Sequence, residues 1–164
     1  MKATKIVGIL SIVAGIVMIV AGALTWGTVT SQLQAERITV PGDSQFMGGA
    51  FKNKEVGGPL TAFAQAEAIN MHAMKASEGK TYAELGALVT ENKDNPEVAE
   101  KYQAQRNTVM NGSFLRASLF SSVIAYGVSA LVMGLGLIIG LMGWAFTTIK
   151  PAAAADAVVG DTTA

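Results

Sequence analysis

Few side chains in this sequence are spaced for chemistry. A single histidine, His72, stands between Met71 and Met74, a soft-ligand set of the kind that holds Cu(I). On a helix Met71 and Met74 share a face while His72 points about 100° away from it, so the three converge poorly and read as core methionines beside a surface histidine. Gly79-Lys80-Thr81 has the ending of a phosphate-binding loop, but that motif needs a glycine where Met74 stands. Thr81 and Glu84 have the T-x-x-E spacing of a capping box instead, in which the hydroxyl and the carboxylate satisfy the first free N–H groups of a helix. Glu97 and Glu100 are flanked by Lys93 and Lys101, as on a solvated helix face. Asn111-Gly112-Ser113 matches a glycosylation acceptor and also reads as a helix break.

With no cysteine and one histidine, thiolate chemistry, a disulfide framework and a multi-histidine metal site in this chain are excluded. No nucleophile, base and orienting group assemble from what is left. The expectation is a protein without catalytic, cofactor-binding or metal-binding residues, not an enzyme. A net charge of zero without a basic block gives no footprint for nucleic acid.

The elements that carry these residues are set by charge placement. Of the 164 residues, 24 are charged, yet Ile6 to Ala35 is a run of 30 residues with no Asp, Glu, Lys or Arg, and Ala117 to Ile149 a run of 33. The remaining 101 residues carry every charge, a density of about a quarter, like a soluble domain. About 20 apolar residues at 1.5 Å each cross a hydrocarbon core of about 30 Å, and both runs exceed that. Ile6 to Trp26 contains eleven Ile, Val or Leu residues, which favour insertion by about 3 to 7 kcal/mol before the glycines subtract.

The reading is an all-α membrane protein: an antiparallel two-helix transmembrane hairpin with a mainly helical extracytoplasmic domain inserted between the spans. Its parts are a cytoplasmic N-terminus (1–5), a transmembrane helix (6–26), the extracytoplasmic domain with helix stubs (27–116), a helix over 117–146 whose transmembrane part is about 125–146, and a disordered cytoplasmic tail (147–164). Lys2, Lys5 and Lys150 on the short flanks place both termini in the cytoplasm of a multi-pass cell-membrane protein, because long loops are translocated largely regardless of their charge. Trp26, Tyr126 and Trp144 stand where interfacial aromatics anchor a span. Ala21-Gly22-Ala23 also fits a signal-peptide cleavage site, but the apolar run continues through Leu24 and Trp26, which favours a span.

Lipid gives helices no hydrophobic reason to associate, so small residues must let the backbones approach. Gly8, Ser11, Gly15 and Gly22 fall on one stripe of the first span at a period near 3.5. Ser122, Ser129, Gly136, Gly140 and Gly143 do so on the second, with Gly136 and Gly140 forming a GxxxG. Between the spans, residues 37–58 read as short extended pieces and turns. A helix starts at Pro59 and ends before Gly79, a second starts after Thr81, and a third runs from Pro96 to about Met110, where Asn111-Gly112 breaks it.

The segments KIVGIL, IVAGIVMIVAG, GGPLTAFAQAEAINMHA, GKTYAEL and NGSFLRASLFSSV resemble a family of small actinobacterial membrane proteins with two spans, over about Lys5 to Trp144. Members carry the label of small subunit of an aromatic ring-opening dioxygenase. Such enzymes hold iron with two histidines and a carboxylate, which this chain lacks, and their small subunit is a soluble helical lid. The preferred expectation is therefore a non-catalytic accessory or scaffold subunit, in contact with membrane lipid and other membrane proteins, docking through its outer domain on a larger envelope or respiratory complex. The alternative is the accessory small subunit of a ring-opening dioxygenase.

Overall fold

The computed structural model describes residues 2–149; of the tail expected to be disordered over 147–164, Thr147 and Thr148 instead close the last helix, and 150–164 lie outside the described residues. Four helices follow in chain order: α1 (Lys2–Ala35), α2 (Pro59–Ala76), α3 (Tyr82–Glu91) and α4 (Pro96–Thr148). Among the described residues the other regular features are a 3-10 turn at Phe46–Gly49 and one antiparallel bridge between Thr39 and Glu55. Two of the helices, α1 and α4, are long and apolar enough to cross a membrane. Only 17% of the most apolar stretch of each is buried, which sets them apart from the core helices of a soluble domain.

The chain divides into two compact units, to both of which α1 and α4 contribute. One is formed by residues 2–20 and 133–149. Here Gly8 lies against Gly143, and Gly15 against Gly136 and Gly140, so the pairs run in opposite order along the two helices. Ile6, Leu10, Val17, Leu137, Met142 and Trp144 face outward around them.

The other unit is Ala21–Val132. Its core gathers Leu33 of α1, Val40 and Val56 of the loop, Ala62, Ala64 and Ala66 of α2, and Leu119 and Tyr126 of α4. Four alanines at alternate positions from Ala62 to Ala68 are all buried, because the loop and the neighbouring helices cover α2 on more than one side and leave no room for larger side chains. The expected turns over 37–58 are present: the Val40 N–H donates to the Lys54 carbonyl, the Asn53 N–H to the Val40 carbonyl and the Val56 N–H to the Ile38 carbonyl.

At the start of α3 the capping box forms as the spacing predicts. The Glu84 carboxylate accepts from the Thr81 N–H at 2.7 Å, and the Thr81 hydroxyl accepts from the Glu84 N–H at 3.4 Å. Asn92 caps the other end through its side-chain amide on the Leu88 carbonyl, 2.8 Å away.

The break expected at Asn111-Gly112 is not there. α4 runs unbroken from Pro96 to Thr148, and the Ser113 hydroxyl donates to the Val109 carbonyl one turn back. Gly112 is buried where a β-carbon would lie 3.0 Å from that of Ala73. The glycine is a point of close approach between α4 and α2, so its cost in helix propensity, about 1 kcal/mol, is offset by packing.

Candidate functional site

The small residues predicted to pack the spans are placed as follows. In the unit of residues 2–20 and 133–149, a β-carbon added to Gly15 would stand 2.5 Å from the Gly136 carbonyl oxygen and 3.0 Å from the Gly140 α-carbon. One added to Gly136 would stand 2.7 Å from the Gly15 carbonyl oxygen, and one on Gly8 would stand 2.7 Å from that of Gly143. Gly143 has no more room, with the Gly8 oxygen at 2.6 Å and the Ser11 β-carbon at 2.8 Å. The two helices therefore touch backbone to backbone at four glycines, a distance no other residue permits. Gly140 differs: its backbone lies against Gly15, yet nothing stands within 4 Å of where its own β-carbon would be. That open side forms part of a shallow apolar groove of about 230 Å³, edged by Ile16, Leu137 and Trp144.

In the unit Ala21–Val132, Gly22 and Ser129 are buried, and Ser129 donates to the Ala125 carbonyl of its own helix. Ser122 is half-buried and likewise bonds within α4, to Ser118.

The aromatic anchors separate. Trp144 is exposed, as an interfacial or lipid-facing ring would be. Tyr126, expected at the lipid interface, is instead 1% exposed and belongs to the core. Its hydroxyl donates to the Gly57 carbonyl at 3.3 Å and accepts from the Thr30 hydroxyl at 2.8 Å, while its ring meets Trp26 edge-on with centroids 4.6 Å apart. A phenol is tolerated inside because both hydrogen-bonding capacities are used. Sequence position alone could not separate a phenol that ends a span from one that joins α1, α4 and the Gly57 turn. The available signal was Thr30, a polar residue in the uncharged run on the side of α1 that also carries Trp26. Two further aromatic contacts, Phe46 with Phe63 and Phe63 with Phe120, tie the loop to α2 and α2 to α4.

Several of the residues weighed for chemistry join parts of the domain. His72 Nε2 is 2.8 Å from Asp43 Oδ2, joining α2 to the loop, and this bond holds the Asp43 carboxyl below its ordinary range. Met71 lines a cavity of about 290 Å³ with Ser44, Phe46 and Glu67. Among the described residues no three His, Asp or Glu side chains group as metal ligands.

Lys80 contacts no phosphate-loop glycine. Its Nζ lies 2.9 Å from Glu78 Oε2, and Lys101 of α4 reaches Glu78 Oε1 at 3.2 Å in place of Glu97 or Glu100. With Gln105 donating as well, at 3.2 Å, hydrogen bonds from Lys80 first, then Lys101 and Gln105, pull the Glu78 carboxyl down to about 2. The sequence reading missed Glu78, whose backbone turns into the left-handed region (φ 56°) just before Gly79 (φ 79°). The glycine that ends α2 is what marks that turn.

Comparison with protein-family models, with curated proteins and with solved structures gives no match to this chain.

Proposed function

We propose that this chain is an integral protein of the cell membrane whose α1 and α4 form an antiparallel transmembrane hairpin, with both termini cytoplasmic and the helical domain between the spans extracytoplasmic. In this reading the hairpin holds the domain at the membrane surface as a non-catalytic accessory or scaffold subunit, which docks on a larger envelope or respiratory membrane assembly.

The observation that carries it is the contrast within one unit: backbone contact at Gly8, Gly15, Gly136 and Gly143, surrounded by outward-facing isoleucine, valine and leucine. Close packing through small residues with an apolar exterior suits a solvent of lipid, where side-chain burial drives nothing and backbone approach does. The same contacts support retention of residues 1–23, because cleavage after Ala23 would strip Gly8 and Gly15 from their partners.

The other unit supports a membrane edge below Tyr126. The turn bonded to Tyr126, at Gly57 and Gly58, shares a surface cavity with Gln34 and Glu55. Irregular backbone beside a carboxylate belongs in water, so hydrocarbon begins on the far side of Trp26 and Tyr126. From Ile6 to Trp26 α1 then offers about 30 Å of apolar helix, matching the hydrocarbon core.

The scaffold reading draws on the use already made of the polar groups. His72, Asp43, Glu78, Lys101, Thr81 and Glu84 all join one element of the domain to another or cap a helix. Affinity purification in mild detergent with mass spectrometry tests it. Envelope or respiratory membrane proteins are expected to co-purify in defined ratio. A soluble, metal-bearing ring-opening dioxygenase subunit would support the alternative role, and recovery of this chain alone would refute docking of either kind.

A further inference from the structure

Among the described residues Ser44, Ser77 and Ser129 are buried, and one of them lacks a partner. The Ser77 hydroxyl lies against the Met74 and Lys80 carbonyls, and that of Ser129 donates to the Ala125 carbonyl. Ser44 is 2% exposed, yet its hydroxyl makes no hydrogen bond to another described residue. Taking a hydroxyl from water without replacing its hydrogen bond is unfavourable. The enclosed side-chain atoms without a partner are Gln65 Oε1, Gln105 Oε1, Arg106 Nε and Arg116 Nε. Ser44 Oγ is not one of these, because it opens into the cavity of about 290 Å³ that Ser44 lines.

That cavity lies within the unit Ala21–Val132, between the loop and α2. Its volume is at the lower end for small-molecule sites, which start at about 300 Å³. The loop supplies Ser44, Gln45 and Phe46, and α2 supplies Glu67, Ala68 and Met71. The two walls are tied together beside the cavity: Asp43, just before Ser44, is bonded to His72, just after Met71, and Phe46 packs on Phe63 of α2 with centroids 5.0 Å apart. The polar groups of these walls are chiefly acceptors. Among the described residues Glu67 is reached by Arg116 alone, at 3.8 Å through Oε1, which leaves Oε2 without a partner. The Gln45 amide nitrogen donates to the Asp43 carbonyl at 3.1 Å, which leaves its oxygen. Phe46, Ala68 and Met71 make the rest of the lining apolar.

We propose that this cavity binds a primary ammonium group carried on a short alkyl chain. An ammonium offers N–H donors and no acceptor, and Glu67, Gln45 and the Ser44 hydroxyl supply acceptors on both walls. Hydrogen bonds to a carboxylate from a cation are stronger than those from a neutral donor, so Glu67 selects an amine over an alcohol and repels an anion. The alkyl chain is received by Ala68, the Phe46 ring and Met71, whose unbranched thioether adapts to the shape of what it covers. The same group occurs on free small amines and at the end of a lysine side chain of a partner protein. Every residue involved belongs to the domain, so the inference stands apart from the membrane reading.

The probe is n-butylammonium, titrated at neutral pH into the full chain in detergent with isotope-labelled methionine methyl groups; Met71→Leu identifies the Met71 signal. The expected result is a saturable shift of that signal, with n-butanol binding about ten-fold more weakly or not at all. Ser44→Ala and Glu67→Gln should each weaken n-butylammonium binding about ten-fold, with helical content by circular dichroism unchanged. A purely structural Ser44 would predict otherwise: removing an unpartnered hydroxyl would leave binding as it was. Unchanged binding in both variants overturns the proposal, and so does the lack of a saturable shift. An equal response to n-butanol overturns it too, since the cavity would then be an apolar crevice. Nα-acetyl-lysine methylamide separates the two sources of the group. Binding as tight as that of n-butylammonium assigns the cavity to a partner's lysine, and exclusion of the lysine derivative assigns it to a free amine.

Discussion

Gly15 and Gly136 sit so close that a methyl group on either would press on the carbonyl oxygen of the other, at 2.5 Å from one side and 2.7 Å from the other. Backbone cannot swing aside as a flexible side chain can. Gly15→Ala and Gly136→Ala should each destabilise the detergent-solubilised protein by about 1 to 3 kcal/mol, the usual cost of overpacking. Gly140→Ala, aimed into open space, should change it little. Thermal unfolding followed by circular dichroism ranks the three, and equal effects would show that the GxxxG as a whole matters, against the asymmetry seen here.

Tyr126 makes a second test because its hydroxyl is held at both ends, by Thr30 and by the Gly57 carbonyl. Tyr126→Phe keeps the ring on Trp26 but leaves the half-buried Thr30 hydroxyl and Gly57 carbonyl without this partner, at about 1 kcal/mol. Thr30→Val on its own should cost less, and the double variant less than the two added together. A non-additive cycle in chemical unfolding locates the coupling in this bond.

These two sites show what was legible in the sequence and what was not. Charge-free runs depend on one helix at a time, so the two long apolar helices could be read along the chain. The capping box at Thr81 and Glu84 was equally local. Tyr126 was misread because an aromatic near the end of an apolar run looks alike whether it meets headgroups or a folded turn. Gly112 was misread for a related reason: a glycine after asparagine signals a break unless another helix presses on it, and Ala73 lies 39 residues earlier.

Gly112 gives a prediction that separates packing from chain flexibility. Gly112→Val should destabilise the domain despite valine's better helix propensity, because its β-carbon meets that of Ala73 at 3.0 Å. Ala73→Gly in the same chain should restore part of the loss. If Gly112→Val is instead stabilising, the close approach of α4 to α2 is wrong.

Glu78 sets an expected pH response. Its folded value near 2 lies below the ordinary 4.5 because Lys80, Lys101 and Gln105 all donate to its carboxylate. A carboxyl whose value is depressed on folding stabilises the fold above the unfolded value, and that contribution disappears as pH falls through the folded value. The join between the end of α2 and the first turns of α4 should therefore weaken between about pH 4.5 and 2. Glu78 is an exposed group, so the effect is local, and carboxyl-carbon chemical shifts read it more directly than global unfolding. The Glu78 resonance should titrate well below the ordinary 4.5, and Lys101→Met should move its midpoint upward. A Glu78 midpoint near 4.5 in the unaltered chain would mean that neither lysine engages it in solution.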